Sequence, residues 1–417
     1  MRRRGELASQ VGAVLTRAAF NAARLDPRIP SAAQLVRTKT RFVLTAQAFT
    51  FLLVAPAWAQ TVPVSRLGDA ESSFRHAFTK VDGVRELSDG RLLIVDGQDR
   101  RVLLASPDWS DAVVVGREGL GPGEYVLPTS IFPLVGDSSA IVDGGTRRLV
   151  LIDPEGGTRA MEQPAGAPCP RSLPTHTVAL DSWARVYVRV PAVHPDSDAI
   201  VRVIPGGCEP DTVAIIPARV TGGRLLQRRV RVGGTVPPPY SASVQWAAAS
   251  DGRVAIAYPE PYHVVSVDPR DGPHKGSAVP YEPIRLTEAY KQSWRDEQRR
   301  PRLVNAMRLD GSAEPGARYM RVPPLPEPAQ WPAFLPPFLE GALVFAPDGT
   351  LWIRRVTAPD AEPRFDLFDE SGQIMRSVQL PAGRHLVGLG VHWIYAVRRD
   401  ELDLEYLERY RYPAPLR

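Results

Sequence analysis

A strand, turn, strand unit that returns along the chain constrains its fold more than any other feature. It first reads Leu92-Leu93-Ile94-Val95-Asp96-Gly97-Gln98-Asp99-Arg100-Arg101-Val102-Leu103-Leu104. It returns as Ala140-Ile141-Val142-Asp143-Gly144-Gly145-Thr146-Arg147-Arg148-Leu149-Val150-Leu151-Ile152. One such unit cannot bury both faces of its sheet. Repetition at a period of about 40 to 50 residues therefore implies a ring of blades that cover one another, an all-β propeller.

Glycine and aspartate punctuation counts the blades. Asp89-Gly90, Gly136-Asp137, Asp181-Ser182, Asp251-Gly252, Asp348-Gly349 and Gly390-Val391 each precede a β-rich run, at 92–95, 140–142, 186–190, 254–258, 351–354 and 392–397. Third strands follow at 101–105, 149–153, 199–204, 263–268, 365–369 and 404–411. The reading is six four-stranded antiparallel blades. The last lacks a fourth strand of its own, and the alternating segment 61–67 is expected to supply it, which removes two open sheet edges.

The stretch from Asp251 to Asp348 has room for a seventh blade, but its middle does not read as strands. Thr287 can cap a helix over 288–300, with Tyr290 and Trp294 on one face and Pro301 as its stop, and a proline-dense run at 323–337 follows. We read a partly helical, proline-rich insertion at about 273–337, between blades four and five.

Upstream of the ring, Arg37, Lys39 and Arg41 precede an uncharged, mostly apolar run at 42–54 and then Ala57-Trp58-Ala59. This is the order of a secretory signal peptide at 36–59, cleaved after Ala59. The run is about 13 residues, short of the roughly 20 that span a bilayer. Residues 1–35 read as a gene-model extension or a long leader. The expected location is periplasmic or extracellular, with no membrane span after cleavage.

Residues 1–60 hold nine of the 51 Lys and Arg and two of the 46 Asp and Glu, so 42 and 44 remain beyond them, a net charge of −2. The basic balance belongs to the leader. Nucleic acid, which demands a basic face, is not expected as a partner. In an oxidising compartment Cys169 and Cys208 are expected to form a disulfide, although the blade map sets them toward opposite ends of blade three.

Three stretches resemble the six-bladed propellers related to NHL-repeat and TolB-like proteins: Val95-Asp96 with Asp99-Arg100-Arg101-Val102, Val142-Asp143 with Thr146-Arg147-Arg148-Leu149, and the inter-blade run 116–125. Segments 386–390 and 398–410 look like the final blade of its exported bacterial members. Asp99 and Thr146 stand where NHL repeats often carry Asn. The resemblance implies fold and export, and the group hosts both lyases and binding modules.

For chemistry, the turns between second and third strands emerge on one face of the ring. They gather Arg100, Arg147, His194, Tyr258, His263, Arg354 and Arg398, a set suited to an anionic or sugar-like ligand. Against it stands the reading that Asp96, Asp143 and their arginines only fix the turns. The glycine-rich run 116–123 lacks the Lys and Ser or Thr of a phosphate loop and is followed by Glu124. His176, His194, His263, His385 and His392 are scattered, with His176 the one expected to point inward. No nucleophile elbow or paired metal motif is present. Aromatic residues Tyr290, Trp294, Trp331, Phe334 and Phe338 make the insertion a lid or the cover of a groove.

These features favour a monomeric binding module for a small molecule or a protein, with no catalytic residue assigned. The alternative is a metal-assisted lyase or lactone hydrolase at the central channel. No cofactor is expected, though the channel leaves room for a divalent cation.

Overall fold

Successive side chains of the strand Leu92–Asp96 go to different neighbours. Leu92 and Ile94 pack with Tyr395, Val397 and Leu407 near the C-terminus, whereas Leu93 and Val95 pack with Tyr125, Ile141 and Val150. A strand's period of two throws alternate residues to opposite faces, so a run apolar at every position buries both. The same arrangement repeats around the ring, with an apolar layer at each of the six junctions between blades.

The computed structural model describes residues 62–161, 179–203, 210–218, 239–300, 302–307, 313–322, 328 and 330–413, all within the unit Ala59–Arg417. Blade one comprises Val81–Glu86, Leu92–Asp96, Arg101–Ala105 and Ala112–Val115, and blade two Pro128–Pro133, Ser139–Asp143, Arg148–Ile152 and Thr158–Ala160. Blade three comprises Ala179–Leu180, Val186–Pro191, Ser197–Val203 and Asp211–Pro217, and blade four Gln245–Ala248, Val254–Pro259, Tyr262–Asp268 and Gly272–Lys275. Blade five has Leu343–Phe345, Leu351–Arg354, Arg364–Phe368 and Ile374–Gln379; blade six has Arg384–Leu389, Trp393–Arg399 and Glu405–Arg411. Neighbouring strands within these blades are antiparallel.

The ring closes differently from the sequence expectation. Segment 61–67 does not complete blade six: Val64–Arg66 joins the outer edge of blade five, parallel to Ile374–Gln379. Blade six takes Ser72–Ser73 instead, antiparallel to Glu405–Arg411. The reason is reach. Phe78 bridges Glu405, and Ser72 already lies opposite Arg409, so residues before about 71 run past the end of that seven-residue strand and meet the adjacent blade.

The insertion leaves the outer strand of blade four and returns to the inner strand of blade five. In an antiparallel blade that connection emerges at the same end as the turn between second and third strands. The insertion therefore stands at the end that carries those turns. It contains a helix, Glu288–Arg299, a two-stranded pair of Ile284–Arg285 with Phe334–Leu335, and a hairpin of Arg302–Met307 with Ala313–Arg321. Gly272–Lys275 belongs to blade four, so the inserted structure begins beyond it.

Candidate functional site at the lid end of the channel

The inner strands of all six blades line a cavity of about 720 Å³. Its carboxylates are already engaged. Asp82 accepts from Lys80 and from the Gly97 backbone N–H at 3.1 Å. Glu86 accepts from the Tyr395 hydroxyl at 3.1 Å and lies 2.6 Å from His392 Nδ1; Asp137 accepts from the Ser88 backbone and hydroxyl, each at 2.9 Å. Among the described residues no three His, Cys, Asp or Glu side chains lie close enough together to hold a metal ion.

The turns show why aspartate recurs. Fully buried Asp143 accepts the backbone N–H groups of Val126, Leu127 and Gly145 at 3.1, 2.8 and 3.0 Å, together with the Thr146 hydroxyl. Asp96 accepts the Asp99 N–H at 3.2 Å and pairs with Arg101 at 3.1 Å. Burial, and secondarily the nearby Asp99, push the Asp96 carboxyl up to about 6 despite that partner. Arg100 and Arg147 close the two turns with left-handed φ of 53° and 57°.

The seven residues expected to form a site are spread over all six blades. Arg100 is buried against Glu118, Arg147 is exposed on its turn, and the exposed ring of His194 bonds the Asp196 backbone. Tyr258 and His263 face each other across their hairpin, stacked with centroids 4.8 Å apart, and His263 Nδ1 bonds the Pro261 carbonyl oxygen at 2.7 Å. The glycine-rich loop has its amides served from within: Glu124 accepts the Gly121 N–H at 2.7 Å. A side chain at Gly123, where φ is 76°, would meet the Thr158 carbonyl. Cys169, Cys208 and His176 lie outside the described residues.

Arg354 and Arg398 lie at the ends of the second strands of blades five and six, on the side of the ring that carries the insertion. The inner strand of blade six sets His385 opposite Val397, and its buried Nδ1 has no hydrogen-bond partner among the described residues. Burial pulls its pKa down to about 4, helped by the charges of Arg354, Arg399 and Arg300, so the imidazole is neutral at neutral pH. Arg354 presents surface to solvent, yet desolvation by the surrounding protein lowers its own pKa. His385 was only one of several scattered histidines in sequence, and Arg300 and Arg399 carried no signal.

Arg300, just beyond the helix, pairs with Asp403 of blade six at 3.2 Å. The helix is anchored at its other end, where the Tyr240 hydroxyl before blade four donates to the Tyr290 carbonyl oxygen at 3.0 Å. The insertion thus reaches from blade four to blade six across blade five. Trp331 packs edge-on to Trp294 at 5.4 Å and lies 6.4 Å from Tyr240. Phe338, expected in the lid, is instead fully buried between blades four and five. Thr287 precedes the helix without making a side-chain cap bond.

No protein-family model and no curated protein matches this chain. Solved structures that resemble it include a calcium-binding protein, regucalcin, from Agrobacterium tumefaciens (10% identity, 85% of this chain and 99% of the other, TM-score 0.38). Others are a candidate exported protein from Bacteroides fragilis (11%, 85% and 100%, 0.41) and a DUF4221 family member from Bacteroides vulgatus (7%, 82% and 97%, 0.42). Among the described residues no helix is long and apolar enough to cross a membrane. The six-bladed ring stands on this chain's own strand pairings.

Proposed function

We propose that this protein is an exported binding module that takes a small molecule into the central channel. The observation that carries the reading is the cavity of about 720 Å³, lined by the inner strands of all six blades and by residues of the turns that follow them, among them Ser88, Asp137, Ser250 and Val391. Concave sites on rigid scaffolds with mobile or inserted cover segments are where small ligands are usually held. The signal-peptide pattern supports export. Engaged channel carboxylates favour holding a ligand over working on it.

The test is a thermal-shift screen of the purified chain with neutral sugars, organic acids and divalent cations, repeated on Ala247→Trp, which fills the channel from an inner strand. At least one compound is expected to raise the melting temperature of the wild type and not of A247W. Compounds that act equally on both would remove the channel from the reading, and consumption of a compound would replace binding by catalysis.

A further inference from the structure

Four of the turns between first and second strands are built alike, and one of them carries a different side chain. In blades one, four and five the N–H groups of Gly90, Gly252 and Gly349 donate to the carbonyl oxygen three residues earlier, and an exposed aspartate, Asp89, Asp251 or Asp348, precedes each glycine. Each aspartate accepts the N–H two residues on, from Arg91, Arg253 and Thr350, at 3.0, 3.0 and 2.9 Å. In blade three the Ala184 N–H closes the same turn onto the Asp181 carbonyl oxygen, left-handed Ala184 stands for the glycine, and Trp183 takes the aspartate's place. The Arg185 N–H is served by the Asp181 carboxylate instead, at 3.0 Å, so the Trp183 side chain has no part in holding the turn. Its ring is 55% exposed, with the Arg185 guanidinium 4.7 Å from its centroid. An aspartate serves this position in three other blades, so the turn itself does not call for an indole.

This turn stands at the channel mouth opposite the insertion. Ser182 is bonded on both sides by neighbouring turns: the Val135 N–H of blade two donates to its carbonyl oxygen at 3.0 Å, and its own N–H donates to the Ser250 carbonyl oxygen of blade four at 2.8 Å. Asp137, Ser250 and, from blade six, Val391 of the corresponding turns line the cavity, and Val135 and Val391 are exposed like Trp183. Phe132, Trp246 and Phe345 lie deeper in its wall. The wall's charges are taken up within the protein: Arg85 pairs with Asp137 at 3.3 Å, Asp82 and Glu86 are engaged as described above, and Glu340 is not free.

We infer that the channel is entered at this end and that Trp183 is the stacking platform at its mouth for an uncharged aromatic ligand. This rests on the binding reading above and adds the entrance and the ligand class to it. A planar ring stacks on the indole face, beside the methyl groups of Val135. A wall whose charges are already engaged has none to offer an ionised ligand, which would lose its hydration without compensation.

Calorimetric titration of the full chain with 2-naphthol, its saturated counterpart decahydro-2-naphthol, 2-naphthoate and methyl β-glucoside tests this. 2-Naphthol is expected to bind the wild type, and Trp183→Ala to weaken it by about fivefold, with Trp183→Phe in between. The wild type is expected to prefer 2-naphthol to decahydro-2-naphthol, a preference that W183A reduces, and to bind 2-naphthoate about tenfold more weakly or worse. Trp331→Ala, on the insertion at the other end, is expected to leave 2-naphthol binding unchanged. Unliganded W183A is expected to melt with the wild type, since Asp181 holds the turn. Equal 2-naphthol affinity in W183A, a loss in W331A instead of W183A, or 2-naphthoate or the glucoside binding as tightly as 2-naphthol would each overturn the inference. Thermal shifts by other compounds that A247W removes, without binding of 2-naphthol, would overturn it and leave the channel reading intact; silence of every compound would overturn both.

Discussion

Glu405 accepts the backbone N–H of Val81 at 2.7 Å, a bond between the last blade and the first across 324 residues of sequence. The same carboxylate holds Arg399 at 2.9 Å and is almost fully buried. Among the described residues, Ser72–Ser73 and the Phe78 bridge add the sheet pairing to Glu405–Arg411 beside this bond. Glu405→Ala is expected to cost about 3 kcal/mol, because it strands a buried N–H and an arginine together. A denaturation midpoint unchanged from that of a surface variant would show that the seam is held elsewhere.

The aspartate and the arginine of the repeated turn are expected to behave oppositely. Asp143 satisfies three backbone N–H groups from a buried position, and Asp143→Ala is expected to destabilise by about 3 kcal/mol. Arg147 is exposed, and Arg147→Ala is expected to fall within about 0.5 kcal/mol of the wild type. Comparable losses in urea unfolding for the two variants would contradict the turn-holding role assigned to Asp143.

Two buried groups oppose each other in their pH dependence. The raised pKa of Asp96, about 6, means that its contribution is complete below about 4 and is lost as pH rises through 6. The lowered pKa of His385, about 4, means that its contribution is complete above about 6.5 and is lost as pH falls through 4. Each is worth on the order of 3 kcal/mol, and over pH 4 to 6.5 they offset one another. Asp96→Asn is expected to leave a fold that weakens on acidification across this window, and His385→Gln one that strengthens. Melting temperatures followed across pH that slope alike in both variants would refute the assignment.

The arginines around His385 also have a spectroscopic consequence. Arg354→Ala is expected to raise the imidazole pKa, and Arg300→Ala to raise it less, in keeping with the order of their influence. Burial, the larger cause, keeps both variants below the ordinary histidine range. An NMR titration of the His385 ring in which R300A moves it further than R354A would reverse that order of influence.

The insertion has an aromatic cluster of its own. Trp331 contacts Trp294 and Tyr240, and the cations of Lys291 and Arg295 lie over its ring. Trp331→Ala is expected to loosen the helix Glu288–Arg299 without unfolding the blades. Hydrogen exchange that accelerates by about tenfold in the helix and little in the inner strands would support this. Uniform acceleration would make the insertion part of the ring's stability.

Much of the ring is legible in the chain because its causes are local. Gly and Asp at the turns and apolar runs such as Leu92–Asp96 mark where strands begin and end, and the six second strands fall where that punctuation sets them. The insertion announced itself by interrupting the rhythm, through Thr287, Trp294 and its prolines. Even the restraint about Asp96 and Asp143 was readable, since a residue that recurs blade after blade answers a need of the blade.

Ring closure and the site were not readable, for the same physical reason. Whether segment 64–66 or 72–73 reaches blade six depends on where Phe78 meets Glu405, a register set across the whole chain. Arg354, His385, Arg399 and Arg300 share no repeat position and no sequence neighbourhood. Among the described residues Arg399 and Arg300 each pair with a carboxylate and Arg354 does not, a difference that becomes visible once the strands are paired and the helix is placed. Strand periodicity decides what a blade is; which charges remain unpaired is decided by what the closed ring places within reach of each.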